Sequence, residues 1–143
     1  MGLDPFNFAD ALLGVLAQRL ARRICAACKT QVPMTRPEYD LLAGRFGVPA
    51  WTARVGAYSA NLSLWSAPGC AKCGDTGYKR RVAIHELMLV DEELKPLIQH
   101  RKPVAELRAA AAAKGMRSLV QDGIEKVLSG LTDLAQVMAV CAK

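Results

Sequence analysis

Two C-x-x-C pairs, "CAAC" at 25–28 and "CAKC" at 70–73, stand forty-one residues apart in a chain of 143. Two residues between ligands let the backbone turn tightly enough to aim both sulfurs at one ion, and two such pairs supply a complete tetrahedral shell. Cys25, Cys28, Cys70 and Cys73 are therefore the candidate metal ligands. Gly69 and Gly74 flank the second pair and free its backbone for such a turn. Arg22, Arg23, Lys29, Lys72, Lys79 and Arg80 crowd the same segments. They would offset the net −2 charge of a zinc–tetrathiolate centre and favour the thiolate form. Four sulfur ligands leave no open position for water, so the expected role of the metal is structural.

Other chemistries fit this pattern less well. A pair of disulfides needs an oxidising compartment, and "MGLDPFNFAD" lacks the basic start and apolar stretch of an export signal. A thioredoxin-like motif accounts for one C-x-x-C, not two, and no βαβ pattern surrounds it. An iron–sulfur cluster takes the same four ligands and stays open at this point. The stretch "GCAKCGDT" at 69–76 is one residue short of a phosphate-binding Walker loop, but Asp75 stands where that loop needs Lys. A carboxylate there repels phosphate, so the glycines belong to the turn around the metal.

No apolar run reaches the roughly 18 residues of a membrane span, and the chain reads as cytoplasmic. The formal charge of +6 falls to +4 if four thiolates share one zinc. That surplus, with Lys79-Arg80-Arg81, raises the alternative of a basic zinc ribbon binding nucleic acid. Few aromatics interleave with the basic residues, which argues against base stacking.

Asp4–Pro5 starts a helix, and Phe8, Leu12, Leu16, Leu20 and Ile24 then recur every four residues. The spacing predicts one amphipathic helix of about 17–20 residues, its stripe packed in the core, running into the first cysteine pair. "TRPE" at 35–38 is a capping box ahead of a helix from Pro37 to Arg45. "VPAWTARVGAYSAN" shows no period and reads as loop. "LSLWSA" and "YKRRVAIHELMLV" read as strands, expected to pair as a hairpin with Cys70 and Cys73 in its turn. Helices follow, capped by Asp91, Ser118 and Thr132, with one more beginning at Pro103 and stopping at Gly115. The fold class expected is α+β, mostly helical. His85, His100 and Cys141 are expected to be structural.

The order "DPF…LLGVLAQRLARRIC", C-x-x-C, "GCAKCGDTGYKRRVAIHEL" and "GMRSLVQDGIEKVLSGLTDLAQV" resembles the C-terminal region of bacterial type II secretion and type IV pilus assembly ATPases, from about Gly2 to Val140. The resemblance implies a domain plan. Residues 1–24 would be a helix from the end of a RecA-like core, and 25–73 an inserted tetracysteine zinc-ribbon-like module. Residues 74–90 would be a strand returning to the core, and 91–143 a C-terminal helical domain. It implies Zn2+ on Cys25, Cys28, Cys70 and Cys73, and places Gln18, Arg19, Leu20 and Glu86 at the core edge. ATP and Mg2+ would belong only to the full-length parent, because the nucleotide-hydrolysing motifs would lie upstream. The implied partners are the rest of the ATPase, neighbouring subunits of a hexamer and the inner-membrane platform, with no nucleic acid. The fragment alone would be a monomer without ATPase activity. The chain departs from the pattern at Arg80, where Gly is usual, and at Gln136, where Glu is usual.

Overall fold

The computed structural model describes residues 2–141. Its elements in chain order are α1 (Pro5–Ala11), β1 (Gly14–Ile24), β2 (Thr30–Pro33), α2 (Arg36–Phe46), α3 (Val48–Val55), β3 (Ser63–Ser66), β4 (Tyr78–Leu89), α4 (Leu94–Gln99), α5 (Val104–Ala113), α6 (Leu119–Leu128) and α7 (Leu134–Cys141). Helices and small sheets are both present, as the α+β expectation required. No helix among the described residues is long and apolar enough to cross a membrane.

The long N-terminal helix is not formed. Asp4 caps α1 through its carboxylate, which accepts from the Phe6 N–H at 3.0 Å. The helix stops at Ala11, and Leu12 is already extended (φ −79°, ψ 117°). From Gly14 to Ile24 the chain is a strand. A repeat of four is also a multiple of two, so Leu12, Leu16, Leu20 and Ile24 share one face of a strand as readily as of a helix. The partner decides: β4, rich in β-formers at Val82 and Ile84, pairs with β1. The Val90 N–H donates to Leu13 at one end and the Cys25 N–H to Gly77 at the other, so the strands run antiparallel. Most of the apolar stripe does not reach the core either: Phe8 is 44%, Leu16 59% and Leu20 47% exposed, and only its last member, Ile24, is fully buried, together with Ala21.

β3 is a strand as expected, but its partner is β2, not the strand that follows. The register is antiparallel, from Thr30 opposite Ser66 to Pro33 opposite Ser63. Two separate ribbons result, β1–β4 and β2–β3. The stretch expected to be loop after Gly47 instead forms α3, with Pro49 in its first turn. Its Trp51 is fully buried, and that burial overrides a weak local signal. The capping box at Thr35 is present in full, the Glu38 carboxylate accepting from the Thr35 N–H at 2.8 Å.

The backbone forms two compact units. One comprises residues 1–17 and 85–118, the other 18–84 and 119–143, and both long strands run through the two. The helices after residue 91 are therefore shared out: α4 and α5 belong to the first unit, α6 and α7 to the second.

In the first unit, Asp91 accepts from the Glu93 and Leu94 N–H groups, each at 3.0 Å, to open α4. Lys114 pairs with the same carboxylate, and holds it below its ordinary pKa. The core of the second unit joins Met34, Tyr39, Leu42, Phe46 and Trp51 to Leu64, Ile84, Ile124, Val127 and Val137. Trp51 meets the rings of Tyr39 and Phe46 edge-on, at 5.6 and 5.9 Å. Gln121 donates to the Phe46 carbonyl at 2.7 Å, fastening α6 to the end of α2. The cap of α7 is Asp133, whose carboxylate accepts from the Gln136 N–H at 2.9 Å. Thr132, expected in that role, is buried and gives its hydroxyl to the Arg22 carbonyl at 2.8 Å.

α6 and α7 approach closely at Gly123, where a Cβ would lie 2.6 Å from Val137 Cγ1. Val137 is β-branched and stiff, so it does not swing aside. Gly123→Val is expected to lower stability by about 2 kcal/mol through overpacking. A chemical denaturation curve with an unchanged slope and a lower midpoint would report it.

Candidate metal centre

Each cysteine pair sits where one ribbon hands the chain to the other. β1 leads into Cys25–Cys28 and β2 leaves it, while β3 leads towards Cys70–Cys73 and β4 leaves it. The two antiparallel pairings thus bring the two turns face to face. The sulfurs of Cys25, Cys28, Cys70 and Cys73 all lie within 4.8 Å of one another, a group that can hold a metal ion. The Cys25–Cys70 separation is 3.9 Å and the Cys70–Cys73 separation 3.8 Å. Cys25 is buried and the other three are half-buried. All four predicted residues are brought together, and no His, Asp or Glu joins them among the described residues. His85 and His100 lie elsewhere, in β4 and at the end of α4.

The turns are built by backbone hydrogen bonds. Lys29 N–H donates to the Cys25 carbonyl at 3.0 Å, and Asp75 N–H to the Cys70 carbonyl at 2.9 Å. Gly69, which the sequence presented only as a general turn-former, proves specific, and so does Gly77, which it did not single out. Gly69 (φ +106°) would place a Cβ 2.6 Å from the Asp75 carbonyl oxygen, and Gly77 (φ +78°) one 2.5 Å from that of Ala67. Both the left-handed conformation and the close approach exclude a side chain.

Gly77 also serves the sulfurs directly. Its N–H points at Cys73 Sγ at 3.3 Å, and the Cys70 N–H does so at 3.2 Å. Burial alone would raise the Cys73 pKa, but these two N–H groups bring it down to about 6. Burial pushes Cys28 the other way, up to about 12, against an opposing N–H from Gly69. The neighbouring N–H groups therefore favour the thiolate at Cys73, while burial favours the thiol at Cys28.

A polar shell braces the centre from outside. Lys29 donates to the Gly130 carbonyl at 3.0 Å and lies 4.5 Å from the Trp65 ring centre, tying the first turn to the end of α6. Tyr78 donates to the Asp133 carboxylate, and the Arg22 guanidinium lies 4.3 Å over its ring. Burial first, and then Asp133, raise the Tyr78 pKa. Gln136 accepts from the Arg22 N–H and Nε, each at 3.3 Å. A Glu at that position would turn the second of these into an ion pair. This Arg22–Tyr78–Asp133–Gln136 network joins residues more than a hundred positions apart, and no local pattern announces it.

The chain matches the model of the family described as "Type II/IV secretion system protein" over residues 1–139. It is 42% identical to the type IV pilus assembly ATPase PilB of Thermus thermophilus, over 97% of this chain and 14% of that protein. It is 38% identical to the type II secretion system ATPase E of Vibrio cholerae, over 98% of this chain and 25% of that protein. The type II secretion system protein HxcR of Pseudomonas aeruginosa is 37% identical, over 98% of this chain and 24% of its own length. The chain thus spans a quarter or less of these curated relatives, and it belongs to the type II/IV secretion system protein family.

Proposed function

We propose that Cys25, Cys28, Cys70 and Cys73 hold one structural zinc ion, and that the chain is the zinc-binding C-terminal portion of a cytoplasmic ATPase that powers protein secretion or pilus assembly. The observation that carries the metal reading is the spacing of the sulfurs. Zinc–sulfur bonds of about 2.3 Å in a tetrahedron require sulfur–sulfur edges of about 3.8 Å. The Cys70–Cys73 and Cys25–Cys70 edges are 3.8 and 3.9 Å, and all four sulfurs lie within 4.8 Å of one another. Four sulfur ligands would fill the tetrahedron and leave no open position for water, so the metal's contribution is to folding and not to catalysis.

In this reading β1 and β4 are the edge of a RecA-like core contributed mainly by the rest of the parent. The exposed apolar side chains of the first unit support it. Leu13 is 83%, Leu16 59% and Leu89 66% exposed, a surface that water does not favour and that a larger core would cover. ATP and Mg2+ would bind upstream, in the parent's nucleotide site. The parent would act as a hexamer at the inner membrane through platform proteins, and this portion would brace contacts among them.

Elemental analysis of the purified chain is expected to give one zinc per molecule, with four thiols appearing on chelation beyond Cys141. Disulfides in place of free thiols would overturn the zinc reading. ATP turnover should not exceed buffer background, and turnover that followed the protein through purification would contradict the assignment of hydrolysis to the upstream part.

A further inference from the structure

Beside the cysteine cluster lies a groove of about 280 Å³ into which Arg23, Lys72, Lys79 and Arg80 all face, floored by the turn from Cys25 to Ala27. We propose that this groove binds the phosphate group of a small phosphorylated molecule.

Charge is the first argument. Other basic side chains pair with carboxylates: Arg36 with Asp40, Arg54 with Glu125, and Lys126 with Asp122. None of the four groove cations has a carboxylate partner among the described residues, and no acidic residue lines the groove. A zinc–tetrathiolate centre carries a net charge of −2, which four cations exceed. Two positive charges are left over in one concavity.

Backbone strain is the second argument. Arg80 has φ +69°, in the left-handed region where glycine sits freely and a long side chain does not. A strained residue held at a surface concavity points to use of its side chain, since glycine would relieve the strain without loss of packing.

Shape and composition select the ligand. Two guanidinium forks and two ammonium groups match a compact anion with several acceptor oxygens, as phosphate is. A single carboxylate would leave cations unmatched. No aromatic side chain lines the groove, so nothing is present to stack a base, and recognition would run through the phosphate itself.

Titration calorimetry with sodium pyrophosphate at low ionic strength, on the metal-loaded chain, tests this. One saturable site per chain is expected, weakened about tenfold by Lys79→Gln, the loss of one hydrogen bond between charged groups. Arg80→Gly should weaken binding similarly while raising the melting temperature, so that a folding defect cannot explain the loss. Absence of saturable binding, or equal binding by both variants, would overturn the proposal and leave the four cations as counter-charges to the thiolates. Sedimentation with phosphatidylglycerol vesicles separates the sources of the phosphate. Pelleting that pyrophosphate reverses assigns a lipid headgroup, and a protein that binds pyrophosphate but stays in the supernatant assigns a soluble ligand. Tight binding of single-stranded DNA with no pyrophosphate binding would also overturn it, in favour of a nucleic-acid surface.

Discussion

On the proposed zinc reading, chelation or the ligand substitution Cys70→Ser is expected to unfold the whole second unit and not merely the segment between the cysteines. Structural zinc contributes about 10–16 kcal/mol of binding free energy in small peptides. A domain's net stability is about 5–15 kcal/mol. The metal term is therefore large enough to decide whether the unit folds. Its reach follows from the connections. The four cysteines join the β1–β4 ribbon to the β2–β3 ribbon. Those ribbons share one core with α2, α3, α6 and α7. The helices near the C-terminus are drawn in because Thr132, Asp133 and Gln136 bond to Arg22 and Tyr78, at the inner ends of β1 and β4. Far-ultraviolet circular dichroism should lose the signal of these four helices, while α1, α4 and α5, in the first unit, keep theirs. A chelated protein that still melts cooperatively, with full helical signal, would show that the apolar core holds the unit without its metal.

The clustering of the four cysteines was more legible in the sequence than the fold around it, for a physical reason. Ligand spacing is a local code: two residues between cysteines, with glycines beside them, already specify a turn and its chemistry. Pairing of strands is not local. β1 carries a repeat of four that satisfies a helix and a strand equally, and only its contact with β4, more than fifty residues away, selects the strand. The same holds for β2, Thr30–Pro33, which ends in a proline, carries one apolar β-former and is fixed by β3. The helix at Val48–Val55 was hidden because its main reason to exist is one buried residue, Trp51. Capping boxes lie between these extremes, and the one at Thr35 was readable because all its members fall within four positions.

Trp51 also carries the second large effect. Trp51→Ala is expected to cost about 3–5 kcal/mol, the usual range for removing a large aromatic side chain from a core. Trp51 is fully buried, and its ring supports both Tyr39 and Phe46. Tyr39 in turn donates to the Gly56 carbonyl at 2.6 Å, closing the turn that follows α3. The cavity would thus loosen α3 and the face of α2 together. Trp51→Phe is the informative companion. The indole N–H has no hydrogen-bond partner among the described residues, so replacing it removes an unsatisfied donor along with some packing. Its cost should be well below that of alanine. Trp65, the other tryptophan, lies under Lys29 on the metal side of the same unit. Its fluorescence in Trp51→Ala therefore reports on the cysteine turns, while circular dichroism reports on the helices. Coincident, equally lowered transitions by the two probes would mean that core and metal centre unfold as one body. Separate transitions would mean that the metal holds the ribbons while the helices melt away from them, which would confine the metal's stabilising role to the cysteine turns.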